Sequence, residues 1–357
     1  MVDQRIAKTA QILVEHSARV KKGEVVEIAG GPETAPLIQE IYRLCIKKGA
    51  FPRVEVGIPK LAYYYYHYAS HEQLTNFPKI AHYIAHNTDA YIGLGGTTNT
   101  RELSTIPPKK LVLRRKVTER INKIYLKKKW VIFEYPTPAL AQEADMSLEE
   151  FEDFVYGAVI QDWKKEEKRQ TKLKKILDRG RRVRIVGKNT DIQFSIAGRQ
   201  AIKSYGLYNM PSGEVFIAPV ETTTEGHIEY SFPAIYSGKE VDGITLEFKK
   251  GKVVHFSAKK NVSLLKEMLA IDRGASYLGE FGIGTNYRIK NFVKQILFDE
   301  KIGGTIHLAL GMAYEMGGGR NKSALHWDMI KDLRKGGEVY VDGKIIQKNG
   351  KFVKGVW

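Results

Sequence analysis

The sequence predicts an α/β protein in two parts. The first is an N-terminal domain on a doubly wound parallel sheet, and the second an antiparallel-rich C-terminal α+β domain. Three observations carry this. The chain has 357 residues, longer than the ~250–300 at which a single core stops growing. Residues 1–145 alternate between helical and strand periodicity, the signature of βαβ units. After Gly180 the pattern changes to short strands separated by tight turns. Hydrophobic residues make up 43% of the chain, which excludes a mostly disordered protein.

The elements follow in order. Asp3–Val20 is an amphipathic helix, with Ile6, Ala10, Leu13, Val14 and Ser17 on successive turns. Glu24–Ala29 is a strand closing on Gly30-Gly31. Ala35–Lys48 is a helix stopped by Gly49, and Arg53–Val56 a strand. Two helices follow, around Tyr63–Tyr66 and Leu74–Ala85. Asp89–Leu94 is a strand, Lys110–Lys127 a helix and Trp130–Tyr135 a strand. Ser147 and Glu150 form a capping box that opens a long helix from Leu148 to about Leu177, ended by Gly180. This gives domains at 1–146 and 181–357, joined by a connecting helix over 147–180. In the second domain Val183–Val186 and Ile192–Ile196 read as a hairpin. Val215–Ala218, Ile228–Phe232, Ile244–Phe248 and Val253–Ser257 read as strands, and Val262–Ile271 and Ile289–Leu297 as helices.

Composition narrows the function. The single cysteine, Cys45, excludes a disulfide framework and a Cys-built zinc ribbon. No apolar run reaches the ~20 residues of a membrane span, and the N-terminus lacks a secretory signal, so the expectation is a cytoplasmic protein without a membrane partner. Abundant Lys, Glu, Ile and Tyr suggest a thermophilic protein. The net charge of +17 invites a nucleic-acid reading. Yet it resolves into two helical windows, 109–129 and 164–188, of net +9 each, on a remainder of net −1. These are either solvated helix faces or a phosphate-contacting surface. Neither interleaves aromatics with basic residues as single-strand binders do. The glycine-rich turns at Gly95-Gly96-Thr97-Thr98 and Gly317-Gly318-Gly319 lack the spacing of a nucleotide cradle.

Two other stretches exclude Lys and Arg altogether: Ser204–Gly238 and Ile302–Gly319. Either they are buried strands, or they reserve their surroundings for a bound cation, which a nearby ammonium would oppose. The candidate ligands fall in and around them. Glu214 follows a Pro-Ser-Gly turn at the head of a β-branched run. Glu280 stands among Phe281, Ile283 and glycines, where a carboxylate without a partner is costly to bury. His307 lies in an apolar strand, and Tyr314 follows beyond Gly311. His326 and Asp328 project from the same strand face, with Leu325, Trp327 and Met329 behind. This oxygen- and nitrogen-rich set suits Zn, Co, Mn or Mg. Six ligands exceed the needs of one catalytic zinc, so two divalent ions are expected.

Four ordered motifs resemble the thermophilic metallo-aminopeptidase family of the aminopeptidase T and S type. They are Asn209-Met-Pro-Ser-Gly-Glu214, Gly279-Glu280-Phe-Gly-Ile-Gly-Thr-Asn286, His307-Leu-Ala-Leu-Gly-Met-Ala-Tyr314 and Asn321-Lys-Ser-Ala-Leu-His326-Trp-Asp328. Gly23-Glu24-Val-Val-Glu and Val341-Asp-Gly-Lys also fit, so the resemblance spans nearly the whole chain. It implies that Glu214, Glu280, His307, Tyr314, His326 and Asp328 are metal ligands. It also implies a C-terminal metal-binding domain, a homodimer, and peptide substrates with a free N-terminus. Glu214, Glu280 and Tyr314 are the candidates for catalytic contact, and Glu221, Glu225 and Glu315 for general base or amine anchor. The connection from Tyr314 to His326 is short, which bears on pocket depth and not on the ligands.

Overall fold

Parallel pairing organises the first half of the chain in the computed structural model, which describes residues 3–236 and 238–357. Two compact units divide the chain: Met1–Gln161 with Gly206–Pro211, and Asp162–Tyr205 with Ser212–Trp357.

In the first unit a parallel sheet runs in the spatial order Phe51–Val56, Val25–Gly30, Ala90–Gly95, Lys129–Glu134 and Asn209–Met210. The last strand arrives from far along the chain. Val26, Ile28, Ile92, Val131 and Phe133 are buried in it. The Ala35–Lys47 helix buries Leu37, Ile38, Ile41 and Cys45 at helical spacing, and Gly49 ends it at φ +72°. The N-terminal helix is α-helical over Gln4–Gln11 and widens to a π-helix over Ile12–Ser17. The helix expected around Leu74–Ala85 is two, His71–Thr75 and Lys79–Asn87, because Pro78 interrupts it.

The long helix expected from Leu148 to Leu177 is also two, Leu148–Val159 and Trp163–Arg179. The capping box at Ser147 and Glu150 opens the first. Asp162 caps the second, its carboxylate accepting from the Lys165 amide at 3.0 Å. The two units meet in the sequence at this break.

The second unit holds two antiparallel sheets and a short ribbon, Ala234–Tyr236 with Lys239–Val241, among the described residues. The larger sheet includes Arg182–Gly187 and Thr190–Ser195, paired as a hairpin. The smaller runs in the order His326–Asp332, Thr305–Gly311, Leu278–Gly284, Glu214–Ile217 and Ile202–Ser204. Their apolar faces share one core, where the Phe194 and Phe281 rings meet at 5.3 Å. Leu278–Gly284, which carries no strand alternation in the sequence, is the central strand of the smaller sheet and is buried throughout. Conversely, no helix spans Ile289–Leu297. Only Ile296–Asp299 is helical. The Asp299 carboxylate takes the Val293 amide at 2.7 Å, and Lys294 adopts φ +60°, so the chain turns where a helix would continue.

Candidate metal centre

Register places the chemistry on one face of the smaller sheet. Asp328 pairs with Ala309, and Ala309 with Glu280. His307 pairs with Gly282, and Glu214 with Gly284. Side chains of paired residues share a face, so ligand types alternate there with alanine and glycine. The opposite face presents Phe281, Ile283, Ile306, Leu308, Trp327 and Met329 to the core. Gly282 is required: a Cβ there would lie 1.9 Å from His307 Nε2.

Five of the six expected residues come into direct proximity. His307 Nε2 is 3.1 Å from Glu280 Oε1 and 3.3 Å from Glu214 Oε2. Ligand atoms of Glu280, His307 and Asp328 lie within 4.8 Å of one another, and so do those of Glu214, Glu300 and His307. His307 therefore belongs to both groups. His326 adjoins the first, with Nε2 at 3.5 Å from Asp328 Oδ2. Its Nδ1 is 2.8 Å from the Met312 carbonyl, which can only accept, so Nδ1 carries a hydrogen and Nε2 is the nitrogen turned toward Asp328. Tyr314 stands further out. Its ring lies 5.2 Å from that of His326 and 5.9 Å from that of Phe216, and the residue is 45% exposed.

Glu300 is the residue that sequence reading missed. It stands two positions before the cation-free stretch at Ile302, in an Asp-Glu-Lys triplet that resembles a surface turn. The rule that cations are kept away also fails at one point. Lys301 is fully buried, with Nζ at 3.6 Å from Glu214 Oε1 and paired with Glu300. Its backbone is held there by a bond from the Asn286 amide to the Lys301 carbonyl, 3.0 Å long.

Of the three further acids, two are engaged elsewhere. Glu221 pairs with buried Arg199 at 2.7 Å and accepts the Arg320 amide. Glu225 accepts the Lys250 amide in the larger sheet. Glu315 is exposed beside Tyr314.

The electrostatics are those of a crowded anionic pocket. Burial raises the Glu214 carboxyl to about 8, opposed mainly by Lys301. Burial likewise raises Glu280. Burial disfavours a charged His307, but the Glu280 hydrogen bond and the Glu214 and Asp328 charges prevail and lift it to about 10. Desolvation, then the carboxylates of Glu280 and Asp328, raise the Tyr314 phenol.

Buried oxygen and nitrogen atoms are left over: Glu214 Oε2, Glu280 Oε2, His307 Nδ1 and Asp328 Oδ1 have no hydrogen-bond partner. Orphaned carboxylate oxygens this close together are costly unless a cation joins them. The donor set therefore fits divalent ions of the Zn, Mn, Co or Mg type. A cavity of about 160 Å³ opens beside His326 and Asp328, walled by Tyr236, Phe292, Trp327 and Ile330.

The chain is similar to known proteins. A family model described as thermophilic metalloprotease (M29) matches residues 2–352. Aminopeptidase 2 of Geobacillus stearothermophilus is 26% identical over 351 residues, 87% of this chain and 84% of that protein. Aminopeptidase T of Thermus aquaticus is 36% identical over 110 residues, 30% of this chain and 26% of that one. The solved structure of wild-type AmpT from Thermus thermophilus has the same fold, with a TM-score of 0.87 at 22% identity over 98% of this chain and 99% of that one.

Proposed function

This chain belongs to the M29 thermophilic metalloprotease family and is a metallo-aminopeptidase, and we propose that it releases N-terminal amino acids from peptides at a centre for two divalent ions. The observation that carries this is His307, buried and shared between two carboxylate groups, Glu280 with Asp328 and Glu214 with Glu300. In this reading His326 completes the first group through Nε2, and Tyr314 lies at its edge. Divalent ions bound there supply a water of lowered pKa and a Lewis acid for the peptide carbonyl.

The chain's own residues do the rest. The Met312 carbonyl fixes the His326 ring, so its nitrogen is ready before substrate arrives. Tyr314, half-exposed beside His326 and holding its proton, donates its hydroxyl to the oxyanion that develops on the carbonyl. Glu315, exposed next in sequence, anchors the free α-ammonium, which restricts attack to the first peptide bond. The cavity beside His326 and Asp328 takes an apolar N-terminal side chain against Tyr236, Phe292 and Trp327. The family resemblance adds a homodimer to this reading, and the sequence composition a cytoplasmic location. No helix among the described residues is long and apolar enough to cross a membrane.

Chelation tests the reading directly. Dialysis against EDTA is expected to cut hydrolysis of leucine-p-nitroanilide by at least ~100-fold, with recovery on adding Co, Zn, Mn or Mg. Full activity in a verified metal-free sample sinks it. A panel of aminoacyl-p-nitroanilides is expected to favour leucine and phenylalanine over lysine and glutamate.

A further inference from the structure

The two ligand groups differ in one charge. Lys301 is fully buried, 3.6 Å from Glu214 and in contact with Glu300, so its ammonium lies against two of the three residues of one group. In the other group, the neighbours are imidazoles: His307 against Glu280, and His326 against Asp328. Lys301 exposes no side-chain surface, so it touches neither substrate nor solvent. Its charge acts most on Glu300 and Glu214, which cover it, and less on Asp328 of the other group. A fixed positive charge there does two things. It competes for the lone pairs of Glu214 and Glu300, and it repels a divalent ion brought to the same oxygens.

We propose that Lys301 divides the centre into a tight lobe and an exchangeable lobe. The Glu280–His307–Asp328 lobe, with His326, retains its ion. The Glu214–Glu300 lobe shares its carboxylates with the ammonium and takes its ion weakly and reversibly. The second ion then follows the free metal concentration, and Lys301 sets the concentration at which it enters. This rests on the metal-centre reading above.

The test needs no substrate. The metal-free, full-length protein is titrated with Mn²⁺ by calorimetry, and stoichiometry is checked by equilibrium dialysis. Wild type is expected to bind one ion tightly and a second on the order of 100-fold more weakly. Lys301→Met keeps the buried stem and removes the charge. It is expected to tighten the second step by at least about tenfold and to change the first far less. Lys301→Arg keeps the charge and is expected to leave the second step weak. Two equal steps in wild type overturn the inference, as does a Lys301→Met isotherm identical to wild type. Either result leaves the metal-centre reading standing. Absence of any Mn²⁺ binding overturns both. Should Lys301→Met fail to fold by circular dichroism, the wild-type isotherm and Lys301→Arg still decide.

Discussion

Gly282 shows how little freedom single residues have at this centre. It is glycine because the His307 ring occupies the space a Cβ would need, 1.9 Å away. Gly282→Ala must push that imidazole off both carboxylate groups. The expected outcome is a folded protein whose hydrolysis of leucine-p-nitroanilide falls by roughly 100-fold or more, with reduced metal content in the same sample. Unchanged activity and metal content would show that His307 can move without consequence. Residue identities at this face were mostly legible in the sequence. Glu214, Glu280, His307, Tyr314, His326 and Asp328 lie in ordered motifs, and His326 and Asp328 announce themselves by strand spacing. Glu300 and Lys301 were not legible. A charged triplet looks solvated until tertiary structure buries it, and nothing local says that Lys301 turns inward.

Elements were legible where one face meets water, and a strand buried on both faces was legible only where its apolar run is little interrupted, as at Thr305–Gly311. The helix at Ala35–Lys47 and the hairpin after Gly180 follow their periodicities. Leu278–Gly284 does not, because every residue in it is buried and three are glycine, so no alternation survives to be read. The break before Trp163 went unseen because amphipathic pattern runs on both sides of it, while the deciding contact is the single cap at Asp162. Asp162→Ala is expected to cost about 1 kcal/mol, read as a lowered denaturation midpoint. Strand ends carry a second consequence. Glu134 closes the Lys129–Glu134 strand, and burial raises its carboxyl from 4.5 to about 7. Between those values the folded state holds a proton that the unfolded state has lost, so stability falls as pH rises through that window. Glu134→Gln removes the dependence. The variant is expected to gain up to about 3 kcal/mol over wild type between acidic and mildly alkaline pH, measured by chemical denaturation at each pH. A difference that does not vary with pH would mean that Glu134 titrates normally.

At the scale of the whole molecule, the +17 charge is in part tied down by the fold. Much of it is engaged within its own unit. Lys110 donates to the Tyr66 carbonyl, Arg114 to that of Asn76, and Lys129 pairs with Glu24. Arg169 pairs with Glu166, and Lys174 with Asp178. The expected outcome is no saturable binding of duplex or single-stranded DNA at ~150 mM salt, checked by fluorescence anisotropy. Tight binding with a steep salt slope would restore that alternative for the helices at 109–129 and 164–188. The alternation of strands and helices made the first unit legible, but not the return of Gly206–Pro211 to its sheet. That two-residue strand, Asn209–Met210, has no periodicity to read.

The return has a consequence of its own. The polypeptide passes from one unit to the other after Gln161, comes back after Tyr205 and leaves again after Pro211. The units are stitched and not strung. A single protease cut after Gln161 gives two fragments, but the second still carries an edge strand of the first unit's sheet, so they should stay together until denaturant is added. For the same reason neither unit can be moved to another protein by a simple cut and splice, because the first would arrive with the Lys129–Glu134 edge bare and prone to pairing with other chains.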